Sequence, residues 1–122
     1  METFRTVSTD IYISLAFMLI DVATGVLKAV KNKELCSTKA REGIYKKTSF
    51  IIFIAFGYLA EYAMGYVDLG FNFPAGAAVC LLVIITEAIS VLENLGAINP
   101  ELVALVAPFL SVLNGKREDE LK

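Results

Sequence analysis

The chain has 122 residues, a formal net charge of −2 and 57% hydrophobic residues, with a mean hydropathy of +0.65. This net charge is too small to indicate a nucleic-acid partner. The apolar residues are concentrated in three blocks, each long enough to cross a bilayer, and these leave no room for a second, water-soluble domain. We therefore expect a single membrane domain over residues 1–122.

The three apolar blocks cover about residues 11–30, 49–67 and 74–95. The ten residues before the first block do not resemble a signal peptide, because they mix Glu2, Arg5 and Asp10 and no small-residue cleavage site follows. Inside a bilayer the backbone must satisfy its own hydrogen bonds, so each block is predicted to be a transmembrane helix.

The distribution of basic residues predicts the orientation of these helices. The second connection, residues 68–73, has no Lys or Arg. The stretch from the end of the first block through the first connection contains seven of the eleven basic residues: Lys28, Lys31, Lys33, Lys39, Arg41, Lys46 and Lys47. Short basic loops stay in the cytoplasm, so we expect the N-terminus outside and the C-terminus in the cytoplasm. Topology alone can explain this basic loop, and binding of anionic lipid head groups is a further interpretation.

The end of the chain has the pattern of an amphipathic helix over about residues 100–114. Asn99 is suited to an N-cap, Pro100 to the first helical position and Glu101 to the first turn. Apolar residues then recur at helical spacing: Leu102, Leu105, Val106, Phe109, Leu110 and Leu113. This segment is too short to span, so we expect it on the cytoplasmic surface or beneath the bundle, followed by a solvated charged tail over 115–122. The predicted fold is thus an all-α membrane protein with three transmembrane helices and a C-terminal amphipathic helix.

The residues that carry chemistry in enzymes are largely missing from this sequence. There is no His, no plausible metal cluster, and no nucleophile or phosphate-loop motif, so we expect neither an enzyme nor a bound cofactor or metal. Cys36 falls in the basic loop and Cys80 in an apolar block, so we expect two free thiols rather than a disulfide.

Three acidic residues, Asp21, Glu61 and Glu87, lie in the interior of the apolar blocks. An acid at the centre of a membrane helix costs about 2.5–3.5 kcal/mol on insertion scales. With a rise of about 1.5 Å per residue, all three lie roughly 12–18 Å from the cytoplasmic ends of their helices. Such residues are expected to face protein or water rather than lipid.

Helical spacing places these acids on polar or small faces. These faces consist of Asp21, Thr24, Gly25 and Lys28 on the first span, Gly57, Glu61 and Gly65 on the second, and Thr86, Glu87, Ser90, Glu93 and Asn94 on the third. They could line a wet interface between copies of the chain, or lock a monomeric three-helix bundle. Three acids against one basic residue within the spans, Lys28, favour the first interpretation.

Three segments of the sequence resemble, in order and spacing, the toxin-secretion and phage-lysis holin family. They are DVATGVLKAV (21–30), STKAREGIYKK (37–47) and EAISVLENLGAINP (87–100). The last is the most specific, because Glu87, Ser90, Glu93 and Asn94 form an unusual pattern for a membrane helix. The second span resembles the family only in its general apolar character, without a matching motif.

The resemblance implies a protein that accumulates in the bacterial inner membrane and homo-oligomerises into lesions. Such lesions release an endolysin, or in some relatives a large toxin, as cargo that is not specifically bound. A small ion channel or transporter is the alternative, since acids inside a membrane often mark an ion path. An antiholin, or a membrane adaptor that forms no pore, is a further alternative.

Overall fold

The computed structural model describes residues 2–105, 107–108 and 111–112. The described residues form three long helices, α1 (Glu2–Lys31), α2 (Ser37–Met64) and α3 (Ala75–Ile98), and contain no strand. The helical fold expected from the apolar blocks is therefore confirmed.

Helix α1 ends in a Schellman-type turn. The N–H of Glu34 donates to the carbonyl of Ala29 (2.8 Å) and that of Lys33 to Val30 (3.3 Å). Lys33 has a φ of 57°, the left-handed conformation that this turn requires and that glycine usually supplies. Lys28 and Lys31 occupy the last turn of the helix, where positive charge complements the helix dipole.

Helix α2 begins twelve residues earlier than the predicted span at residue 49. Most of the predicted basic loop is therefore helical, and the connection between α1 and α2 is confined to residues 32–36. The reason is local: residues 37–47 are mostly good helix formers, with Gly43 as the main exception. Lys39, Arg41, Lys46 and Lys47 lie on the first turns of α2 rather than in a loop.

The connection between α2 and α3 turns at Gly70, which has a φ of +77° and donates its N–H to Asp68 Oδ1 (2.9 Å). Helix α3 ends at Ile98, and Asn99 follows as its C-cap, donating its N–H to the Leu95 carbonyl (2.8 Å). The Asn99 side chain accepts from the N–H of Glu101 (3.1 Å), which is the contact that the predicted N-cap would make.

Beyond Asn99, residues 100–105, 107–108 and 111–112 are helical. Leu102 is partly buried and Leu105 is 77% exposed. Val106, Phe109, Leu110 and Leu113 of the predicted apolar face, and the predicted charged tail 115–122, lie outside the described residues. The amphipathic helix over 100–114 accordingly stays a prediction.

Helix α3 packs against both other helices, which contact each other little. The small core at its centre is formed by Met18, Ile54, Val79, Cys80 and Val83. Two glycines allow the close approach of α2 and α3: a Cβ at Gly57 would lie 2.8 Å from Val79 Cγ2, and a Cβ at Gly76 would overlap the Tyr58 ring. The expectation that small residues lie where the helices touch holds for this pair.

Most of the large apolar side chains point outward along all three helices. Two segments, Val7–Lys31 and Ala75–Ile98, are long and apolar enough to cross a membrane. In α2 the apolar residues follow a strongly charged first third, and the role of this helix as a third span stays a prediction.

Candidate functional site

An ion-pair cluster joins the three helices near the middle of the bundle. The ammonium of Lys47 on α2 contacts Asp21 Oδ2 on α1 and Glu87 Oε2 on α3. All three side chains are largely or completely buried, with exposed fractions of 14% for Lys47, 12% for Asp21 and 0% for Glu87. One lysine therefore connects two acids of the predicted polar faces.

Asn94 extends this cluster along the interface of α1 and α3. Its Nδ2 donates to Asp21 Oδ1 (3.1 Å), to the Asp21 carbonyl (3.4 Å) and to Thr24 Oγ1 (3.1 Å). We call Asp21, Thr24, Lys47, Glu87 and Asn94 the polar cluster.

The three charged residues meet because they occupy the same level of their helices. Asp21 lies ten residues before the end of α1, Lys47 ten residues after the start of α2, and Glu87 eleven residues before the end of α3. At about 1.5 Å per residue each lies roughly 15 Å from that end of its helix. The cluster is thus an internal layer of the bundle.

Glu87 has the most restrictive surroundings of the three. Its side chain is fully buried, and its second oxygen, Oε1, has no hydrogen-bond partner among the described residues. Burying an unpaired polar oxygen costs about 1–3 kcal/mol. Within the described residues, one ammonium group contacts two carboxyl groups here.

A second group of polar side chains lies toward the opposite end of the bundle. The Tyr58 hydroxyl donates to Asp10 Oδ2 (3.2 Å), and the Cys80 thiol donates to the Tyr58 oxygen (3.7 Å). Glu61 Oε1 accepts from the N–H of Gly76 at the start of α3 (3.4 Å). Glu61 is therefore far along α2 from Lys47 and belongs to a separate contact between α2 and α3.

The other predicted face residues are placed differently. Gly25 packs beside Asn94, 3.6 Å from its Nδ2 if a Cβ is added. Lys28 and Ser90 are partly buried, whereas Glu93 is exposed, and Lys28 and Glu93 form no ion pair within the described part of the chain. Thr86 is exposed and donates to the Leu82 carbonyl (2.8 Å), and Gly65 lies just beyond the end of α2.

Sequence reasoning assigned Lys47 to the basic loop and missed its role in the bundle. A signal for this role was present. Lys47, Phe50, Ile54, Gly57 and Glu61 follow helical spacing, so the inward face of α2 extends back to Lys47. The comparison of three acids with Lys28 alone was wrong, because Lys47 is the basic partner of two of them.

A cleft of about 720 Å³ opens beside the polar cluster, between α1 and the first half of α2, with Ser90 and Asn94 of α3 also lining it. Apolar side chains form much of its wall, including Val22, Val26, Ile44 and Ile51. Four lysines and two acids also line it: Lys28, Lys39, Lys46, Lys47, Asp21 and Glu34. We call this cavity the basic cleft.

The remaining residues of the predicted basic loop lie around this end of the bundle. Lys31 donates to the Ile98 carbonyl and so joins the ends of α1 and α3. Lys39 pairs with Glu34 at 3.7 Å, with both side chains more than half exposed. Among the described residues, no three His, Cys, Asp or Glu side chains group as a metal site would require.

The fold and the polar cluster define a small helical membrane protein that encloses charged groups and exposes apolar ones. The family model described as "Bacteriophage holin family" matches residues 2–114. The chain belongs to this family, as the resemblance of its three segments indicated. This is a family of non-enzymatic membrane proteins, and together with the two apolar helices it indicates a protein of the bacterial inner membrane.

The curated relatives add little about function. The chain is 30% identical to an "Uncharacterized 14.9 kDa protein in nagH 3'region" of Clostridium perfringens, over 84% of this chain and 75% of that protein. It is 29% identical to an "Uncharacterized protein CPE0383" of Clostridium perfringens strain 13, over 84% and 73% of the two chains. No solved structure gave a significant match.

Proposed function

We propose that this protein is a holin that homo-oligomerises in the inner membrane and forms lesions through which an endolysin, or a large toxin, leaves the cytoplasm. In this proposal all three helices span the membrane. The N-terminus lies outside, and the basic ends of α1 and α2 lie in the cytoplasm. The carrying observation is the polar cluster: a buried ion pair among three helices in a chain of the holin family.

The polar cluster is suited to a protein that accumulates in the membrane before it forms lesions there. While Lys47 bridges Asp21 and Glu87, one charged residue of each helix is turned inward, and large apolar side chains point outward along all three helices. Pairing these three charges inside the bundle makes the monomer easier for the bilayer to tolerate, because they do not face hydrocarbon.

The contacts of the polar cluster within one chain can be exchanged for contacts between copies of the protein. Helices α1 and α2 touch each other little, so the bond from Lys47 to Asp21 is one of the few links between them. If α2 separates from α1, the charged residues become exposed and need either water or a neighbouring chain. At high density in the membrane, neighbouring chains can supply both, as an aqueous lumen lined by the polar faces.

Induction in bacteria with and without a cytoplasmic endolysin tests this proposal. We expect turbidity to fall abruptly, after a delay, only when the endolysin is present, whereas viability falls in both cultures. Loss of membrane potential without endolysin release would indicate a small ion channel instead. Delay of lysis by a co-expressed holin would indicate an antiholin, and harmless accumulation a membrane adaptor.

A further inference from the structure

The basic cleft contains positive charge that the polar cluster does not use. Lys47 is bound to two acids, and Lys39 is shared with Glu34. Lys28 forms no ion pair with any described residue, and Lys46 lies over the Phe50 ring, 5.7 Å from its centroid, without an acidic partner in the described part of the chain. Two lysines at the cleft therefore have no counter-charge from the described residues.

The walls of the cleft are suited to a ligand with an apolar portion. Val22 and Val26 line it from α1, and Ile44 and Ile51 from α2. Its volume of about 720 Å³ lies in the range of ligand sites, which typically combine apolar walls with a few polar groups. The cleft lies between two helices that contact each other little. The acyl chain of a lipid could therefore enter the cleft sideways from the bilayer.

We propose that the basic cleft binds one anionic phospholipid, with its phosphate between Lys28 and Lys46 and part of an acyl chain along Val22, Val26, Ile44 and Ile51. Basic pockets between membrane helices on the cytoplasmic side are known to hold anionic head groups. The inference rests on the proposed orientation, which places this end of the bundle in the cytoplasmic leaflet. A lipid here would contact both α1 and α2 beside the polar cluster, so it would oppose their separation.

The test uses the full chain, purified in detergent and mixed with phosphatidylglycerol and phosphatidylcholine of matched acyl chains. Native mass spectrometry gives the ratio of the two lipids retained. We expect a clear preference for phosphatidylglycerol, and a roughly 10- to 30-fold loss of it in Lys28→Gln/Lys46→Gln, since each lysine near such a head group contributes about a fivefold factor. The matched control is Lys33→Gln/Arg41→Gln, which removes the same charge from exposed residues outside the cleft and should keep the preference.

A second variant tests the apolar part of the site. Gly43 lines the cleft, and a Cβ there would meet no atom within 4 Å, so Gly43→Leu adds apolar volume to the cleft from a position that has room for its Cβ. We expect it to weaken phosphatidylglycerol retention although every lysine remains.

Three results would overturn the inference: equal losses in the two double variants, no lipid preference in the native chain, or glycerol phosphate competing as well as the diacyl lipid. The measurement involves no lesion, so a chain that fails to lyse cells can still pass it.

Discussion

Lys47 differs from the neighbouring lysines of α2 in its surroundings. Lys39 forms an exposed ion pair with Glu34, and such pairs contribute about 0–1 kcal/mol to stability. Lys46 is exposed and lies over a ring. Lys47 instead holds two buried carboxylates on two different helices, so its removal leaves both acids without their cation.

The first prediction is that Lys47→Met destabilises the bundle and advances lysis. Removing one partner of a buried ion pair costs about 3–5 kcal/mol, because the other charge stays buried and uncompensated. We expect a lower thermal midpoint in detergent and an earlier fall in turbidity when endolysin is present. Both are measured at equal membrane levels of protein.

Arg41→Met serves as the control for Lys47→Met, since it removes the same charge from an exposed position of the same helix. Adding Asp21→Asn and Glu87→Gln to Lys47→Met should restore much of the lost stability by removing the orphaned charges. An unchanged thermal midpoint in Lys47→Met would contradict the assignment of this lysine as the central contact.

Among the helices, α3 and the apolar part of α1 were predictable from apolar length, although α1 begins at Glu2, nine residues before the predicted span. The contact of the Asn99 side chain was predictable because Asn competes for backbone N–H groups at a helix start. The start of α2 was not. A charged stretch between apolar blocks is read as a loop under the positive-inside rule, although Lys, Arg, Glu and Ala are all good helix formers. Hydropathy cannot tell a charged helix from a charged loop, and so Lys47 was placed outside the bundle. The pairing of acids with that lysine depends on helix register, which apolar blocks define only to within a few residues.

The second prediction concerns the close approach of α2 and α3. Gly76→Ala would drive a methyl group into the Tyr58 ring, and Gly57→Ala would place one 2.8 Å from Val79 Cγ2. Overpacking of this kind costs about 1–3 kcal/mol, so both variants should melt earlier in detergent. Gly43→Ala is the control: it meets no neighbour and should leave the midpoint unchanged or raise it through better helix propensity. Equal changes of the thermal midpoint in all three variants would show that helix propensity, rather than packing between α2 and α3, determines the effect.

The third prediction concerns the segment after Asn99. If residues 100–114 form an amphipathic helix on the membrane or the bundle, their amides should exchange slowly with deuterium in lipid nanodiscs. Leu105→Ser with Phe109→Ser should raise exchange there and shift lysis timing while the membrane-embedded helices remain protected. The exposed Leu105 would then lie against lipid. Fast exchange throughout the native segment would contradict an ordered helix.

The molecule as a whole offers a test of orientation through its two native thiols. Cys36 is exposed at the start of α2, and Cys80 is buried beside Tyr58. The fourth prediction is that an impermeant maleimide labels Cys36 only after the cytoplasm is opened, and labels Cys80 only after denaturation. Labelling of Cys36 in intact spheroplasts, before any lesion forms, would reverse the proposed topology.

The chemistry of Cys36 makes this labelling practical near neutral pH. The backbone N–H groups of Lys39 and Thr38 in the first turn of α2 lower the pKa of the Cys36 thiol. A lowered pKa increases the thiolate fraction at a given pH, and thiolate is the form that reacts with maleimide. Labelling of Cys36 should therefore persist to lower pH than labelling of the same residue in urea, where the turn is lost.

The largest question at the level of the whole protein is whether the acids stabilise one chain or join several. Asp21 and Glu87 are satisfied in part by Lys47 within a single chain, which supports a lock within the monomer. The Oε1 of Glu87, which has no hydrogen-bond partner among the described residues, supports a further partner for this acid. Both roles, an ion pair within one chain and a later contact between copies, are compatible with the proposed function.

The last prediction is that neutralising these acids leaves insertion intact but changes assembly, with Glu87 the most sensitive. Asp21→Asn, Glu61→Gln and Glu87→Gln each remove an insertion penalty of up to about 3 kcal/mol, so membrane levels should be normal or higher. If the acids serve contacts between copies, cross-linked ladders should shorten and endolysin release should be delayed or lost, most strongly for Glu87→Gln because that side chain is fully buried in the cluster. Glu42→Gln, which neutralises an exposed acid of α2 outside the predicted polar faces, is the matched control and should assemble normally. If Glu87→Gln shows wild-type cross-linked ladders and wild-type timing of endolysin release, Glu87 has no role in assembly. Disappearance of the variants from the membrane would instead make the acids locks of a single bundle, because only a folding defect removes a chain whose insertion has become easier.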